Sequence, residues 1–470
     1  MLSAAKSLVK HSVIRWLIRQ EEQARRLQPL VPDLWSCGQN DEGHLTVNGI
    51  SVKELADRYG TPLHVLHEQN LLSTYNEFLA SFKAVYPEVV LATSYKTNPV
   101  PHVLKTLHAA GSHAEVISHF ELWLALKLGV PGEKIILNGP GKGEEALRLA
   151  VEQRVRIINI DGPGEIAKIA RFARELGVQQ HVGLRVITSV GWSSQFGLSI
   201  ESGAAESAFQ QILDYPELIP GGLHLHLGTG IQNIETYTRA VQELIEFAGR
   251  LKTNYGIEIA VFDLGGGFGV PTVRGKTDWD TRMISLGYPS RQAIPGAVPR
   301  PADFARALSP LFERLGEMAS SSAAAPTVIL EPGRAITSSA QILLLSVIGK
   351  KRGPNEKQYL MVDGGKNITL PLEWETHQIF AASRLGRDSS ILHDVFGPLC
   401  HPGDIIVKNQ AFPELEEGDV LAIMDAGAYF IPNQMVFSNP RPPIVSVHNG
   451  GCTVVRKRET FEDIVQADVS

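Results

Sequence analysis

The sequence predicts an α/β protein built as a (β/α)8 TIM barrel with a C-terminal antiparallel β-domain. The first observation is that, from Val89 onward, eight short β-rich runs alternate with longer segments of helical periodicity. The second is a change after about residue 340, where strand-like runs are separated by Gly, Pro and Asp. The third is an ordinary globular composition, with 43% apolar and 20% charged residues. A doubly wound open sheet is the alternative, because alternation alone does not show closure.

The predicted barrel strands are short and most are followed by a helical segment, as (β/α) units require. The eight runs are Val89–Lys96, His113–Ser118, Ile135–Pro140, Ile157–Asp161, His181–Ile187, Gly221–Gly228, Ile259–Phe268 and Thr327–Arg334. Helical periodicity marks Phe120–Leu128, Glu144–Glu152, Gly164–Leu176 and Thr236–Tyr255. The segment Thr272–Pro301, rich in Gly, Pro and charge, is predicted to be a long loop of the kind that often covers a site.

The predicted β-domain has no convincing helical period between most of its runs. These runs are Gln341–Ile348, Gln358–Val362, Asp404–Val407, Val420–Met424 and Ile444–His448. Leu45–Val52 is also strand-like and is expected to complete this domain. The predicted domains are therefore an N-terminal extension at 1–44, a strand contribution at 45–60, the barrel at 61–340 and the β-domain at 341–470.

The first 26 residues combine four basic side chains with apolar residues at helical spacing, and no acid precedes Glu21. This pattern predicts an amphipathic helix. Such a helix is typical either of an organelle transit peptide or of a segment that packs on the protein itself or on a partner subunit. We favour the packing helix, because composition specifies transit signals only weakly.

Charge and cysteine content exclude several classes of protein. A net charge of −6, from 44 basic and 50 acidic residues, builds no strong field, so nucleic acid is not an expected partner. Three widely spaced cysteines cannot form a disulfide framework and indicate a reducing compartment, here the cytoplasm. No apolar run reaches the roughly 18 residues of a membrane span, so we expect a soluble protein without a membrane partner.

Polar residues fall at the C-terminal ends of the predicted strands, which is where barrel enzymes place their chemistry. Lys96 ends the first run and is either a salt-bridge partner at the rim or a lysine able to form a Schiff base. His226 shares a strand face with His224, and is either a core histidine or a functional one. Glu331 ends the eighth run beside a Gly and a cation, where a simple ion pair is the alternative. The Gly265-Gly266-Gly267 turn suits an anion such as phosphate, although a Gly triplet is often only a turn.

Taken in order, these signals form a specific set. The segments are SYKTNP at Lys96, HLHLGTG at His226, DLGGGFG, EPGR, GPLC ending at Cys400 and DAGAY ending at Tyr429. From about Leu45 to Val454 the chain resembles the fold type III (alanine racemase-like) pyridoxal-phosphate decarboxylases, the diaminopimelate, ornithine and arginine decarboxylase group. The LTVNGISVKELADRYGTPLHVL segment most resembles the diaminopimelate decarboxylase branch.

The resemblance implies pyridoxal 5′-phosphate as the cofactor, no metal, and a role for each matching residue. Lys96 would hold the cofactor covalently and later shuttle protons, and His226 would stack on the pyridine ring. Glu331 would pair with the pyridine nitrogen and keep it protonated, which favours decarboxylation over the racemisation that related enzymes with Arg there perform. The phosphate would be held by Gly265, Gly266, Gly267, Gly333 and Tyr429, with Thr229 and Arg334 nearby. The barrel at 61–340 would then be the cofactor-binding domain.

The resemblance also implies a homodimer with shared active sites. Cys400, from the β-domain of the partner subunit, would lie near the reacting carbon and help to protonate it. The resemblance thus makes Lys96, His226, Glu331 and Cys400 the predicted catalytic residues. The predicted partners are a second copy of the chain and a small amino-acid substrate, possibly bound to a carrier protein.

The chain departs from the family where the substrate's distal group would bind. Cys400 is followed by His401 instead of Glu, and the segment after Asp363-Gly364-Gly365 lacks the family's Arg. A buried carboxylate without a cation costs several kcal/mol, although Lys366 offers a point charge. The predicted substrate-binding residues are Arg334, Lys366, His401 and Tyr429.

These departures lead us to expect a biosynthetic amino-acid decarboxylase that acts on a non-standard distal group. That group could belong to ornithine, lysine, a siderophore-type conjugate of a diamino acid, or a carrier-bound aminoacyl group. The first alternative is diaminopimelate decarboxylase of lysine biosynthesis. The second is a catalytically silent regulatory homologue, although such decay would normally lose the Lys, the Gly triplet or the Cys, and all three are present.

Overall fold

The computed structural model describes residues 29–193, 195–318, 324–353 and 357–469. The helix predicted within the first 26 residues lies outside the described residues. Among the helices that are described, none is both long and apolar enough to cross a membrane.

The N-terminal segment belongs to the β-rich part of the molecule. Its elements are β1 (Cys37–Gln39), β2 (Leu45–Val47), β3 (Ile50–Ser51), α1 (Val52–Tyr59) and β4 (Leu63–His67). Strands β1 to β3 form a small antiparallel sheet, and the Ser51 side chain caps α1 by accepting from the Lys53 backbone N–H.

The next segment forms a closed eight-stranded parallel barrel, because the pairing of its fourth and fifth strands completes the ring. This closure confirms the predicted barrel and excludes an open doubly wound sheet. The barrel strands are β5 (Val89–Ser94), β6 (His113–Val116), β7 (Ile135–Leu137), β8 (Ile157–Ile160), β9 (Gln180–Ile187), β11 (Leu218–His224), β12 (Val261–Asp263) and β14 (Thr327–Leu330). Two short strands, β10 (Leu198–Ser199) and β13 (Arg274–Gly275), lie in the connecting segments.

Amphipathic helices surround the barrel and bury their apolar faces against it. They are α2 (Glu68–Lys83), α3 (Pro101–Ala109), α4 (His119–Lys127), α5 (Glu144–Glu152), α6 (Ile166–Leu176), α7 (Ala204–Leu213), α8 (Ile234–Tyr255), α10 (Pro301–Met318) and α11 (Gly333–Thr337), whereas α9 (Asp278–Ser285) belongs to the segment between β13 and α10. A cluster of aromatic rings around Phe268 joins α2, α8 and α10 beneath the Gly-rich turn. The rigid outer layer thereby fixes the position of that turn.

The segment at 272–301, which we call the insertion, is docked on the β-domain. It contains β13 and α9, and Arg274 and Gly275 pair with Thr376 and Glu375 in the β-domain. The Asn409 side chain also donates to the backbone carbonyl of Tyr288 at 2.9 Å. The predicted long loop is therefore an element with its own helix, tied to the β-domain by backbone pairing.

The β-domain is an extended, mainly antiparallel arrangement of strands. Its elements after the barrel are β15 (Gln341–Arg352), β16 (Gln358–Val362), α12 (Lys366–Thr369), β17 (Glu375–Thr376), β18 (Ile379–Ala381), β19 (Ile391–Phe396), β20 (Ile405–Phe412), β21 (Val420–Ile423), β22 (Ile444–His448), β23 (Gly451–Arg456) and α13 (Phe461–Val465). Its interior is apolar on both sides of β15, the longest strand.

The structure divides the chain differently from the predicted bounds. Strand β4, which the prediction assigned to the barrel, lies in the β-domain between β15 and β22. All five of its side chains are buried, so both faces of this strand are covered. The segment at 45–60 forms its own small sheet and helix, whose buried apolar residues share one core cluster with the β-domain strands, and Leu45 N–H donates to Ala382 O at 2.7 Å.

Candidate active site

The polar residues at the ends of the barrel strands meet in one buried hydrogen-bonded cluster. Parallel strands in a barrel present their carboxyl ends to one rim, so residues far apart in sequence become neighbours. Asn138 illustrates this, because its side-chain amide donates to Glu331 at 2.6 Å and to Glu115 at 3.1 Å. Asn159 donates to Asn138 at 2.8 Å and extends the network across the barrel.

Lys96 lies at this rim just beyond the end of β5. Its ammonium is 2.7 Å from a carboxylate oxygen of Glu115 and donates to the Ser94 hydroxyl at 2.8 Å. Burial lowers the pKa of Lys96, but the negative charges of Glu115 and Glu331 more than offset this and raise it above its usual range. Lys96 is therefore a charged ammonium held in a fixed position in the cofactor-free chain.

Glu331 is a buried carboxyl group beyond the end of β14. One oxygen accepts from Asn138, while the other, Oε2, has no hydrogen-bond partner. Burial and the neighbouring charges of Asp263 and Glu115 hold the pKa of Glu331 well above its usual range. Burial likewise raises the pKa of Asp263 to about 7. A buried oxygen without a partner marks a place where a donor from a ligand fits.

The Gly265-Gly266-Gly267 turn follows β12 and brings three backbone segments into close contact. A Cβ on Gly266 would lie 2.1 Å from the carbonyl oxygen of Glu331, and one on Gly267 would lie 2.1 Å from that of Gly228. Gly265 and Gly267 also have φ values of +62° and +95°. Only glycine fits here, so the turn offers bare backbone at the rim.

The histidine that ends β11 and the one just beyond it lie at different depths in the site. His226 lies beyond the strand end, and its Nδ1 accepts from the Gly266 N–H at 3.4 Å. Burial and the charges of Lys96 and Arg185 lower the pKa of His226 to about 4, so its ring is neutral. His224 lies deeper, with Nε2 3.8 Å from Glu331 and neither ring nitrogen hydrogen-bonded. The ligand atoms of His224, Asp263 and Glu331 lie within 4.8 Å of one another at the floor of the site.

Gly333, Arg334 and Tyr429 lie together on the side of the rim next to β5. A Cβ on Gly333 would lie 2.3 Å from the Thr97 hydroxyl, and the Tyr429 N–H donates to the Thr97 carbonyl at 2.9 Å. The Arg334 guanidinium carbon is 5.0 Å from the centre of the Tyr429 ring. Its two terminal nitrogens bind both oxygens of Glu375, one of them at 2.8 Å. Arg334 thus already has a carboxylate partner within the chain.

The remaining predicted residues lie near the surface. Thr229 is exposed in the loop after β11. Cys400 and His401 are exposed in the turn between β19 and β20, and the Lys366 ammonium pairs with Glu373. Among the described residues, no hydrogen bond, ion pair or ring contact joins Cys400 or His401 to the Lys96 cluster of the same chain.

Sequence reasoning missed Glu115, Asp263 and Glu375 as members of the site. Glu115 and Asp263 carry a signal, since each is an acid inside an otherwise apolar strand and such a residue needs a partner. Glu375 carries no such signal, because it lies in a polar segment where acids are ordinary. Trp192, whose ring centre is 5.9 Å from that of His226, was also not predicted.

A cavity of about 300 Å3 lies next to the Arg334–Glu375 pair, between the insertion and the β-domain. We call it the insertion cavity. Its lining includes Lys276 and Gln292 from the insertion and Lys366, Glu375, Thr376 and His377 from the β-domain. Glu375, which binds Arg334, is part of this lining.

Comparison with known proteins gives consistent results. Residues 72–338 match the family model described as the pyridoxal-dependent decarboxylase, pyridoxal binding domain. Diaminopimelate decarboxylase of Methanothermobacter thermautotrophicus is 32% identical to the chain, over 91% of this chain and 96% of that protein. Diaminopimelate decarboxylase of Bacillus subtilis is 29% identical, over 92% and 96%.

A solved structure is similar over nearly its whole length. The crystal structure of diaminopimelate decarboxylase from M. jannaschii in complex with L-lysine superposes with a TM-score of 0.82 and 28% identity. It covers 92% of this chain and 98% of that one. The likeness therefore includes both the barrel and the β-domain.

The residues at the rim fit pyridoxal phosphate. Lys96 supplies an amine in a fixed position, and the Gly-rich turn supplies close-approaching backbone for a phosphate. The unpartnered Oε2 of Glu331 matches the N–H of a protonated pyridine ring. The carbonyl group, the phosphate and the ring nitrogen of the cofactor would thus each face a chemically matching group.

Proposed function

The chain belongs to the pyridoxal-dependent decarboxylases, and we propose that it removes one carboxylate of meso-diaminopimelate as CO2 and leaves lysine. That it is a pyridoxal-phosphate-dependent amino-acid decarboxylase follows from the family and its relatives. The choice of substrate is our proposal. It rests on the 32% identity to a diaminopimelate decarboxylase that is matched over 96% of its length.

The described residues supply the groups that α-decarboxylation needs. Pyridoxal phosphate supplies an electron-accepting ring for the electron pair left when CO2 departs. Glu331, whose pKa is raised by burial and by the neighbouring Asp263, would hold the ring nitrogen of the cofactor through its carboxyl group. Lys96 carries the amine that binds cofactor and moves protons, and Glu115 orients its ammonium at 2.7 Å. The neutral ring of His226 offers a flat surface for stacking.

A second candidate substrate is an amino acid without a distal carboxylate, such as L-lysine or L-ornithine. The observation that favours it is the Arg334–Glu375 pair, which occupies the guanidinium that a distal carboxylate would otherwise use. The missing Arg after Gly365 favours it too. We rank it second, since the relatives that match most of the chain in sequence are diaminopimelate decarboxylases.

The experiment is CO2 release by the purified, cofactor-loaded protein from meso-diaminopimelate, L-lysine and L-ornithine at equal concentration. We expect the highest kcat/KM for meso-diaminopimelate. The cofactor-free protein is the control for spontaneous decarboxylation. Turnover of L-lysine or L-ornithine with none of meso-diaminopimelate would establish the second candidate and reject the first.

We further propose that the enzyme is a homodimer in which Cys400 of the β-domain serves the partner's site. Cys400 is exposed and lies in a turn ordered by Asp404, whose carboxylate accepts from the Leu399 N–H at 2.7 Å. Mixing inactive Lys96→Ala and Cys400→Ala chains under subunit exchange tests this. We expect mixed dimers to regain about a quarter of the wild-type activity of the pool, because half the dimers are mixed and each has one intact site. Activity that stays at the level of the separate variants would reject shared sites.

The cytoplasm remains the proposed location of the enzyme. The three cysteines are free thiols, and Cys400 and Cys452 are not fully buried. A reducing compartment keeps such thiols from oxidising. Fractionation of the source cells with detection of the protein in the soluble fraction is the corresponding measurement.

A further inference from the structure

The insertion cavity is walled by two segments that the chain holds firmly together. The Lys276 backbone N–H donates to the Trp374 carbonyl at 2.8 Å, and the Lys276 ammonium donates to the Leu372 carbonyl. Arg274, next to Gly275 in β13, pairs with the buried Asp280 at 3.0 Å. A cavity of about 300 Å3 between such walls is large enough for a small polar group on a short chain.

The positive charge of Arg334 is not available to a ligand in this cavity. Both of its terminal nitrogens are bound by Glu375, whose Oε2 also lies 3.2 Å from His377 Nε2. The pair is buried, so little water screens it. A carboxylate that entered the cavity would therefore have to displace Glu375 or find another cation.

Lys276 is that other cation. Among the described residues no carboxylate lies within ion-pair distance of its ammonium, whereas the other lining lysine, Lys366, pairs with Glu373. Burial and the nearby positive charge of Lys366 lower the pKa of Lys276 below its usual value, and Asp280 acts weakly in the opposite direction. An anion bound beside Lys276 would remove this electrostatic penalty.

Two further side chains at the cavity have polar atoms without partners. Thr376 is 4% exposed and Gln292 is 6% exposed, and neither the Thr376 hydroxyl nor Gln292 Oε1 has a hydrogen bond. Burying such groups without a partner is unfavourable, because the hydrogen bonds they make to water are lost. A ligand that offers one acceptor to Thr376 and one donor to Gln292 would replace these bonds.

We propose that the insertion cavity binds the distal amino-acid group of the substrate. Lys276 pairs with the distal carboxylate, the Thr376 hydroxyl donates to it, and Gln292 Oε1 accepts from the distal ammonium. Lys276 thus takes the place of the guanidinium that the segment after Gly365 lacks. This inference rests on the proposed function, because it assumes a substrate that is an α-amino acid at both ends.

The first test compares Lys276→Met with wild type for decarboxylation of meso-diaminopimelate by the holoenzyme. We expect KM to rise about ten-fold or more and kcat to change by less than about three-fold, because the lost charge-assisted contact binds the unreactive end. Lys350→Met, which removes a lysine on β15 that pairs with Glu416, is the matched control and should leave both constants unchanged. An unchanged KM in Lys276→Met would overturn the proposal while leaving the substrate assignment intact.

The second test uses pimelate, a dicarboxylate without amines that cannot be decarboxylated by this chemistry. Titration calorimetry with the holoenzyme should show Kd about ten-fold weaker for Lys276→Met than for wild type. Thr376→Val, which removes the hydroxyl at nearly constant volume, should show a smaller loss. Thermal melting of each variant checks that it is folded, and Thr376→Val tests the cavity independently if Lys276→Met is unstable.

The two tests separate the failure of the cavity from the failure of the substrate proposal. Pimelate binding that depends on Lys276, without turnover of meso-diaminopimelate, would keep the cavity as a dicarboxylate site and reject the proposed function. Turnover of meso-diaminopimelate, together with pimelate binding that depends on neither Lys276 nor Thr376, would keep the proposed function and reject the cavity as the distal site. Wild-type protein that neither binds pimelate nor decarboxylates meso-diaminopimelate would reject both.

Discussion

The Lys96 rim and the insertion cavity differ in which ionisable group is incompletely paired, an acid at the rim and a cation at the cavity. At the rim, Lys96, Glu115 and Asn138 form a continuous network, and the atom left without a hydrogen bond is one carboxyl oxygen of Glu331. At the cavity, the acid Glu375 is fully engaged by Arg334 and the group left without a counter-ion is a cation, Lys276. The rim is thus prepared for a cationic ring nitrogen and the cavity for an anion. We propose that the two regions are the two ends of one binding site for substrate and cofactor.

Removal of Lys96 should have the largest effect and would test whether the rim is catalytic at all. For Lys96→Ala we expect decarboxylation to fall at least about 1000-fold, because the amine that holds the cofactor and moves the proton is lost. CO2 release and the visible absorbance of bound cofactor are the measurements. Lys105→Ala, on the exposed face of α3, is the control. Near-normal rates in Lys96→Ala would show that the rim is not the reaction centre.

Replacing Asp263 should change how the stability of the cofactor-free protein depends on pH. The pKa of Asp263 is raised to about 7, so the folded state favours its protonated form and loses stability as pH rises from the ordinary aspartate range through about 7. Asp263→Asn removes this loss, worth about 1.4 kcal/mol for each pKa unit.

Urea unfolding at about pH 4 and about pH 8 measures this difference in the free energy of unfolding. Wild type should lose more stability than Asp263→Asn between the two values, although Glu331 acts in the same direction in both proteins. Asn can still accept from the Gly265 N–H, which Asp263 binds at 3.1 Å. Equal pH dependence of the two proteins would show that Asp263 is charged throughout.

Replacing Glu375 would test this contrast, because it would free the Arg334 guanidinium to bind a carboxylate. In Glu375→Gln the Arg334 guanidinium loses its counter-ion and becomes available, so pimelate should bind about ten-fold tighter. The variant should also be less stable, because a buried cation is left unpaired. Glu373→Gln, which affects the more exposed pair with Lys366, is the control for titration calorimetry. Unchanged or weaker binding would mean that Arg334 does not face the cavity.

The smallest effect is expected for Lys366, which lines the cavity but already pairs with Glu373. Partly exposed ion pairs contribute little, so Lys366→Met should change KM for meso-diaminopimelate by less than about three-fold. Steady-state kinetics beside Lys276→Met give the comparison. A larger effect for Lys366 than for Lys276 would exchange the roles that we assign to the two lysines.

Local sequence patterns were enough to predict the architecture of the barrel and the ends of its strands. The predicted runs at Val89, His113, Ile157 and Thr327 all contain observed strands, because an apolar run between polar turns is encoded locally. The same local pattern placed Lys96 and Glu331 beyond strand ends, and closure of the ring then made them neighbours. The catalytic class followed from motifs that each lie within a few residues.

Which charges are paired and which strands share a sheet depends on contacts between segments that are distant in sequence. Strand β4 pairs with β15 and β22, and nothing in its five residues distinguishes that sheet from the barrel. The pairing of Arg334 with Glu375, and the lack of a counter-ion on Lys276, also depend on segments brought together by folding. Local sequence sets propensity and period, but the partner of a buried charge is chosen by the packing of distant segments. The proposed site for the substrate's distal group therefore rests on the fold, whereas the proposed cofactor site was already predicted from the sequence.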